Sequence, residues 1–262
     1  MPRVIAVCNQ KGGVGKTSIT LGLADVLAHQ GRRILIIDAD AQANATTSLG
    51  VTDPPFTLND VLTSGGGEVT PGVITDAATP AGPGWDRIDV VASERALAAR
   101  EQDQVVGREL RLRTALDGDL SRWDLVLIDC PPSLGQLSIN ALVAADAALL
   151  VTEPRATSVD GLSEIVRTLG TVRRALNPGL ALAGVVVNRH RADRRDRTEW
   201  VDQLRTDYGN SLLEPAIPER EVVAVASSAA APLTAYGSRA KPVLDALAPI
   251  AATLLTDPEH TP

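Results

Sequence analysis

The sequence predicts an α/β fold built on a mostly parallel, twisted sheet with helices on both faces, and three observations predict it. The runs ILIID (34–38), DLVLID (124–129), ALLVT (148–152) and LAGVVVN (182–188) are continuously apolar, as parallel strands covered on both faces must be. Helical periodicity fills the intervals, at about 94–118, 135–145, 158–176, 198–208 and 240–255. Strand and helix therefore alternate, and a parallel pair needs a crossover connection of that kind.

The first element follows the same logic. Val4 to Cys8 is a short apolar strand entering a glycine-rich turn. Thr17 to Gln30 then carries Ile19, Leu23, Val26 and Leu27 at helical spacing, with Gly31 as its stop. The stretch 51–85 is rich in Gly, Pro, Thr and Asp, includes SGGGE at 64–68, and reads as a surface insertion with one short helix at Leu58–Leu62. The tail 257–262 reads as frayed. With 262 residues, 44% of them apolar and 22% charged, residues 1–262 are expected to form one domain with a sizeable core.

Composition narrows the function. There is no uninterrupted apolar run of about 18 residues, and MPRVIAVC passes straight into a glycine loop, so a cytoplasmic protein without membrane attachment is expected. Cys8 and Cys130 lie in or beside apolar runs and read as buried structural thiols with no metal. A formal charge of −7 confines any nucleic-acid binding to a local patch. Lysine occurs only at 11, 16 and 241, and two of the three lie within one six-residue loop, where a flexible ammonium suits a phosphate.

In open α/β sheets ligands gather at the carboxyl ends of the strands. Here those ends carry KGGVGKTS (Lys11, Gly12, Gly13, Val14, Gly15, Lys16, Thr17, Ser18), then Asp38 with Asp40, then Asp129 and Asn188. The strict Walker A pattern requires glycine at position 10, where Gln10 stands; the variant with an additional lysine, K-G-G-x-G-K-T, matches in full. Gly12, Gly13 and Gly15 let backbone N–H groups turn inward at a helix N-terminus, Lys16 reaches the β- and γ-phosphates of ATP, and the Thr17 hydroxyl ligates Mg²⁺. Asp129 ends a buried strand as a Walker B carboxylate near the metal, with Asp38 on the next strand end joining the metal set. Asp40 is placed to orient or deprotonate the attacking water, or is simply a loop carboxylate. Arg189, Arg191, Arg194, Arg195 and Arg197 follow Asn188 within nine residues, tempered by Asp193 and Asp196. They form either a solvated loop or a surface for the phosphates of duplex DNA without base specificity, with Arg220, Arg239 and Lys241 extending it.

KGGVGKT, IIDADAQANAT, LVLIDCPPS and VVVN occur in the order found in ParA/MinD-type deviant Walker ATPases, and the likeness covers nearly the whole chain. Asp38, Asp40, Gln42, Asn44, Ala45 and Thr46 resemble the chromosome and plasmid partition branch, ParA or Soj, although Ala41 and Ala43 replace the proline and glycine usual there. The resemblance implies a P-loop NTPase in which Lys11 crosses an ATP-dependent sandwich homodimer to contact the partner's ATP. It further implies that Asp40 activates water, that Asn188 recognises adenine, and that Pro218 of the IPER segment packs near the adenine. Arg197-Thr198 resembles the R-T that opens a DNA-contacting helix in the family. A ParB-like centromere-binding protein, stimulating hydrolysis with a basic N-terminal segment, is the implied partner, and the nucleoid the implied place of action.

Rival readings are a ParA relative that positions another cargo, a MinD-like membrane-cycling regulator, and an ATP-dependent ligase of the dethiobiotin synthetase type. The membrane reading needs a basic amphipathic C-terminal helix, which APIAATLLTDPEHTP does not offer. A nitrogenase iron-protein type would need two cysteines at a dimer seam, whereas Cys8 precedes the loop and Cys130 abuts Asp129.

Overall fold

The computed structural model describes residues 1–63 and 68–256, and of residues 156–160 the backbone alone. Most of the SGGGE run and the whole 257–262 tail, read above as insertion and frayed end, lie outside the described residues.

Eight strands form one sheet in the order β3-β4-β2-β5-β1-β6-β7-β8. They are β1 (Arg3–Cys8), β2 (Ile34–Asp38), β3 (Thr79–Pro80), β4 (Ile88–Val91), β5 (Leu125–Asp129), β6 (Ala147–Thr152), β7 (Ala181–Val187) and β8 (Leu212–Leu213). Every pairing is parallel except β3 with β4 at one edge. The expected fold class is the one observed.

Successive strand side chains point to opposite faces, and the two cores divide accordingly. On one face Ala6, Leu35, Ile37, Val126, Ile128 and Leu150 pack against α3 (Leu58–Thr63), α4 (Ile74–Ala77), α5 (Arg111–Leu116), α6 (Gln136–Ala144), α7 (Ala156–Ala175) and α8 (Arg195–Tyr208). On the other Ile5, Val7, Ile34, Ile36, Leu127 and Leu149 meet α1 (Lys16–His29), α2 (Asn44–Ser48), α9 (Glu221–Ser228) and α10 (Lys241–Leu254). That two-sided burial is why these strands read as unbroken apolar runs. Gly31 ends α1 as expected: its φ of 89° turns the chain so that Arg32 N–H donates to the Leu27 carbonyl at 3.0 Å.

Four stretches differ from expectation. The span 94–118 is not one helix but a 3₁₀ run at Arg95–Gln102, another at Arg108–Leu110, and then α5. Asp103 sits at the break, where it accepts from Arg111 at 2.6 Å and pairs with Arg100 at 3.3 Å. The stretch 51–85 contributes two helices and the edge strand, and buries Leu58, Val61, Leu62, Ile74 and Trp85. β4 and α9 have no counterpart in the sequence reading. Asp89 interrupts the apolar run of β4, where its carboxylate accepts from Trp123 Nε1 at 2.8 Å.

Leu127, wholly buried at the sheet centre, should cost about 2–5 kcal/mol on replacement by Ala. Leu182, 37% exposed on β7, should stay within about 0.5 kcal/mol under the same change. Urea midpoints of the two variants check this, and equal losses would contradict the assignment of faces.

Candidate nucleotide site

The carboxyl ends of β1, β2, β5, β6 and β7 point to one side of the sheet, and the loop Asn9–Gly15 joins β1 to α1 there. Asn9, nearly fully buried, anchors this loop: its Nδ2 donates to the Val151 carbonyl, and its Oδ1 accepts from Lys11 N–H at 2.8 Å. Gly15 takes a φ of 86°, and a Cβ on it would stand 2.3 Å from Asn188 Nδ2, so that position excludes any side chain. Lys16 opens α1, buried, with Nζ 3.2 Å from the Lys11 carbonyl. Burial lowers the pKa of its ammonium, and Asp129 is the largest influence in the other direction.

Asp129 is fully buried. It accepts from the Thr17 hydroxyl at 2.6 Å, and Thr20 Oγ1 lies 3.2 Å from its other oxygen. Burial, reinforced by Asp38, pushes its carboxyl up to about 7. Asp38, equally buried on the adjacent strand, accepts from Thr46 N–H at 2.8 Å, from the Thr46 hydroxyl at 2.7 Å and from Asp40 N–H at 3.2 Å. Burial pushes it up to about 6 against those donors. Two buried carboxylates beside a threonine hydroxyl form an all-oxygen donor set short of positive charge, which fits a hard divalent cation.

Asp40 receives Gln42 N–H at 3.0 Å and lines a cavity of about 350 Å³ together with Gly12, Gly13, Gly15, Lys16, Thr17, Gln42, Asn44, Pro132 and Arg189. An adjoining cavity of about 390 Å³ shares Thr17 and Asn44 with it and runs between α1, α2 and α9, over Leu21, Trp85, Val223 and Leu233. The Lys11 side chain makes no hydrogen bond or ion pair among the described residues.

The structure thus brings together Lys11–Ser18, Asp38, Asp40 and Asp129. It sets Asn188 against the same loop, where Nδ2 donates to the Val14 carbonyl at 2.9 Å. Pro218 is bridged to His190, two residues beyond Asn188, and lines a further cavity of about 670 Å³ with Arg191, Glu219 and Arg220. The arginines disperse. Arg191 pairs with Asp193 at 3.0 Å and Arg195 with Glu199 at 2.9 Å, while Arg197 Nη1 donates to the Pro154 carbonyl at 3.2 Å. Arg220 reaches only the Glu219 carbonyl, and Arg194 makes no side-chain hydrogen bond or ion pair among the described residues. Arg189 is held at the loop itself.

Sequence reasoning missed Asn9, Thr20 and Glu153, and named Thr46 within the Asp38–Thr46 motif without its role as the donor to Asp38. Thr20 carried a signal, lying one turn beyond Lys16 on the face that meets the end of β5. Glu153 carried a weaker one, a charge directly after an apolar strand.

Fold and loop define a P-loop nucleotide-binding protein with a second lysine at the head of the loop. A family model described as an AAA domain matches residues 2–182. The chromosome partitioning protein ParA of Caulobacter vibrioides is 37% identical over 242 residues, 89% of this chain and 87% of that protein. The sporulation initiation inhibitor protein Soj of Bacillus subtilis is 32% identical over 245 residues, 92% of this chain and 94% of that one. Among solved structures, cobyrinic acid a,c-diamide synthase from Mycobacterium smegmatis with bound ADP and magnesium superposes at a TM-score of 0.75 with 31% identity, covering 88% of this chain and 93% of that chain. The chain belongs to this AAA-domain family as a ParA-type partition ATPase. Among the described residues no helix is long and apolar enough to cross a membrane.

The raised carboxyls predict a pH dependence. An ordinary Asp titrates at 3.8, so between about pH 4 and 7 the folded chain holds more protons than the unfolded one. Stability of the ligand-free protein should therefore fall as pH rises through that window. Asp129→Asn should raise the melting temperature more at pH 8 than at pH 5; an equal shift at both would contradict it.

Proposed function

We propose that this chain binds Mg²⁺·ATP in the cavity over Gly12–Thr17 and hydrolyses it as an ATP-dependent homodimer. In this reading the dimer binds duplex DNA without sequence preference and, reset by a ParB-like partner, segregates a plasmid or chromosome at the nucleoid. The observation that carries it is that Lys16, Thr17 and Asp40 line one cavity while the buried Asp38/Asp129 pair stands directly behind it, tied to it through the Thr17 hydroxyl. The ParA and Soj relatives support the partition role.

Each side chain has a part in that chemistry. Lys16 and the loop N–H groups hold the phosphates, and Thr17 with Asp38 and Asp129 would hold Mg²⁺, which supplies charge neutralisation on the transferring phosphoryl group. Asp40, with only one oxygen engaged among the described residues, orients the attacking water. Lys11, whose side chain has no hydrogen bond or ion pair among the described residues, is free to reach the nucleotide of a second copy. Hydrolysis is then coupled to association, because the second cation arrives only when two chains meet.

DNA contact falls to Arg191, Arg194, Arg195 and Arg220, exposed members of the cluster, with the half-buried Arg197 behind them; such binding weakens steeply with salt. A second reading has the M. smegmatis structure in its favour: ATP-dependent amide formation on a small carboxylic acid. ATPase activity stimulated by DNA plus partner supports partition, and product from an acid and ATP supports the ligase.

Lys11→Ala should still bind ATP but lose ATP-dependent dimerisation on size-exclusion chromatography; an unchanged dimer would remove the trans role. Asp40→Ala should retain ATP and the dimer while turnover drops by roughly a hundredfold, the scale of one general base. Wild-type phosphate release by that variant would take Asp40 out of the mechanism.

A further inference from the structure

Arg189 stands in sequence at the head of the basic stretch, yet its guanidinium lies on the phosphate cavity. Its Nη1 serves two acceptors, the Gly13 carbonyl of the P-loop and Glu153 Oε1 at 2.8 Å. Both are fixed. Glu153 follows the carboxyl end of β6, its side chain is 9% exposed, and its second oxygen lies 3.0 Å from Arg155 Nε. Arg189 also lines the cavity that holds Lys16, Thr17 and Asp40.

A guanidinium offers five N–H donors in a planar fork. The two on Nη1 go to Gly13 and Glu153, and those on Nε and Nη2 have no partner among the described residues. Beside it Asn188 holds the next carbonyl, that of Val14, at 2.9 Å. The tip of β7 therefore draws two successive loop carbonyls to its own side, which leaves the loop N–H groups to face the cavity. A DNA role fits Arg189 poorly, because Glu153, which it shares with Arg155, and the Gly13 carbonyl hold its guanidinium at the cavity and away from the 191–197 loop.

We propose that Arg189 is a nucleotide-site residue: one guanidinium nitrogen sets the P-loop through Gly13, and the free edge donates to the phosphates of a bound nucleoside di- or triphosphate. Glu153 is a positioning residue that aims it. This rests on the nucleotide reading above and adds to it a third cation supplied in cis, beside Lys16 of the same chain and Lys11 of a second.

The test is a titration of fluorescent ADP and ATP analogues with magnesium, without DNA, into wild-type protein, four single variants and the Arg189→Ala/Glu153→Gln double variant. Arg189→Ala should bind ADP about ten- to a hundredfold more weakly, the scale of a charge-assisted bond to phosphate. Arg189→Lys, which keeps the charge but not the fork, should fall between. Glu153→Gln should weaken binding severalfold alone and add nothing to Arg189→Ala, a non-additivity that separate structural roles would not produce. Arg173→Ala, an exposed arginine near the end of α7, should match wild type. Should Arg189→Ala melt early, Arg189→Lys and Glu153→Gln decide, and wild-type affinity in both overturns the proposal. Wild-type ADP affinity in a stable Arg189→Ala overturns it equally. Failure of the wild-type protein itself to bind would instead overturn the nucleotide reading.

Discussion

Asp38 and Asp129 face each other in register on adjacent parallel strands, each without solvent exposure. Burying two like charges side by side is unfavourable, and the surrounding structure is largely a response to it. Thr17 and Thr20 lean on Asp129 from the first turns of α1, while Thr46 and the Asp40 amide lean on Asp38 from the loop after β2. These donors do not restore ordinary carboxylates, since both stay raised. The missing element is positive charge, which Lys16 supplies in part and which a divalent cation with a polyphosphate would organise. The same donors fix the register of the P-loop helix and of the loop at Asp40, so the carboxylate pair couples sheet, helix and loop.

The second half of the site is built from the opposite side of β1. There β6 and β7 send out Glu153, Asn188 and Arg189, which handle the backbone of the loop instead of the cation set. The loop is thus held between a carboxylate end and an amide-guanidinium end. Its conformation follows from tertiary partners as much as from its own glycines.

Much of this was legible in the sequence. Uninterrupted apolar runs revealed a sheet buried on both faces, and the glycine-lysine pattern located the loop, because each motif is local and its chemistry demands the spacing. Less legible were elements whose identity depends on neighbours. β4 is four residues long and broken by Asp89, whose partner Trp123 is remote in sequence. The helix expected over 94–118 breaks where Asp103 is drawn to two arginines. Arg189 is the clearest case: its sequence neighbours are arginines, its spatial neighbours are Gly13 and Glu153, and only the strand order β1-β6-β7 joins them. The turning of Arg191 and Arg195 to local carboxylates, and of Arg197 and Arg220 to backbone carbonyls, has the same origin, since a run of like charges says nothing about which of them find partners.

The gathered lysine, threonine and carboxylates suit a magnesium-bound adenine nucleotide. Isothermal titration calorimetry of the purified protein with ADP, with and without magnesium, tests it most directly. One nucleotide per chain, bound markedly more tightly with magnesium than with a chelator, is the result predicted here. Absence of binding with magnesium present would contradict the account.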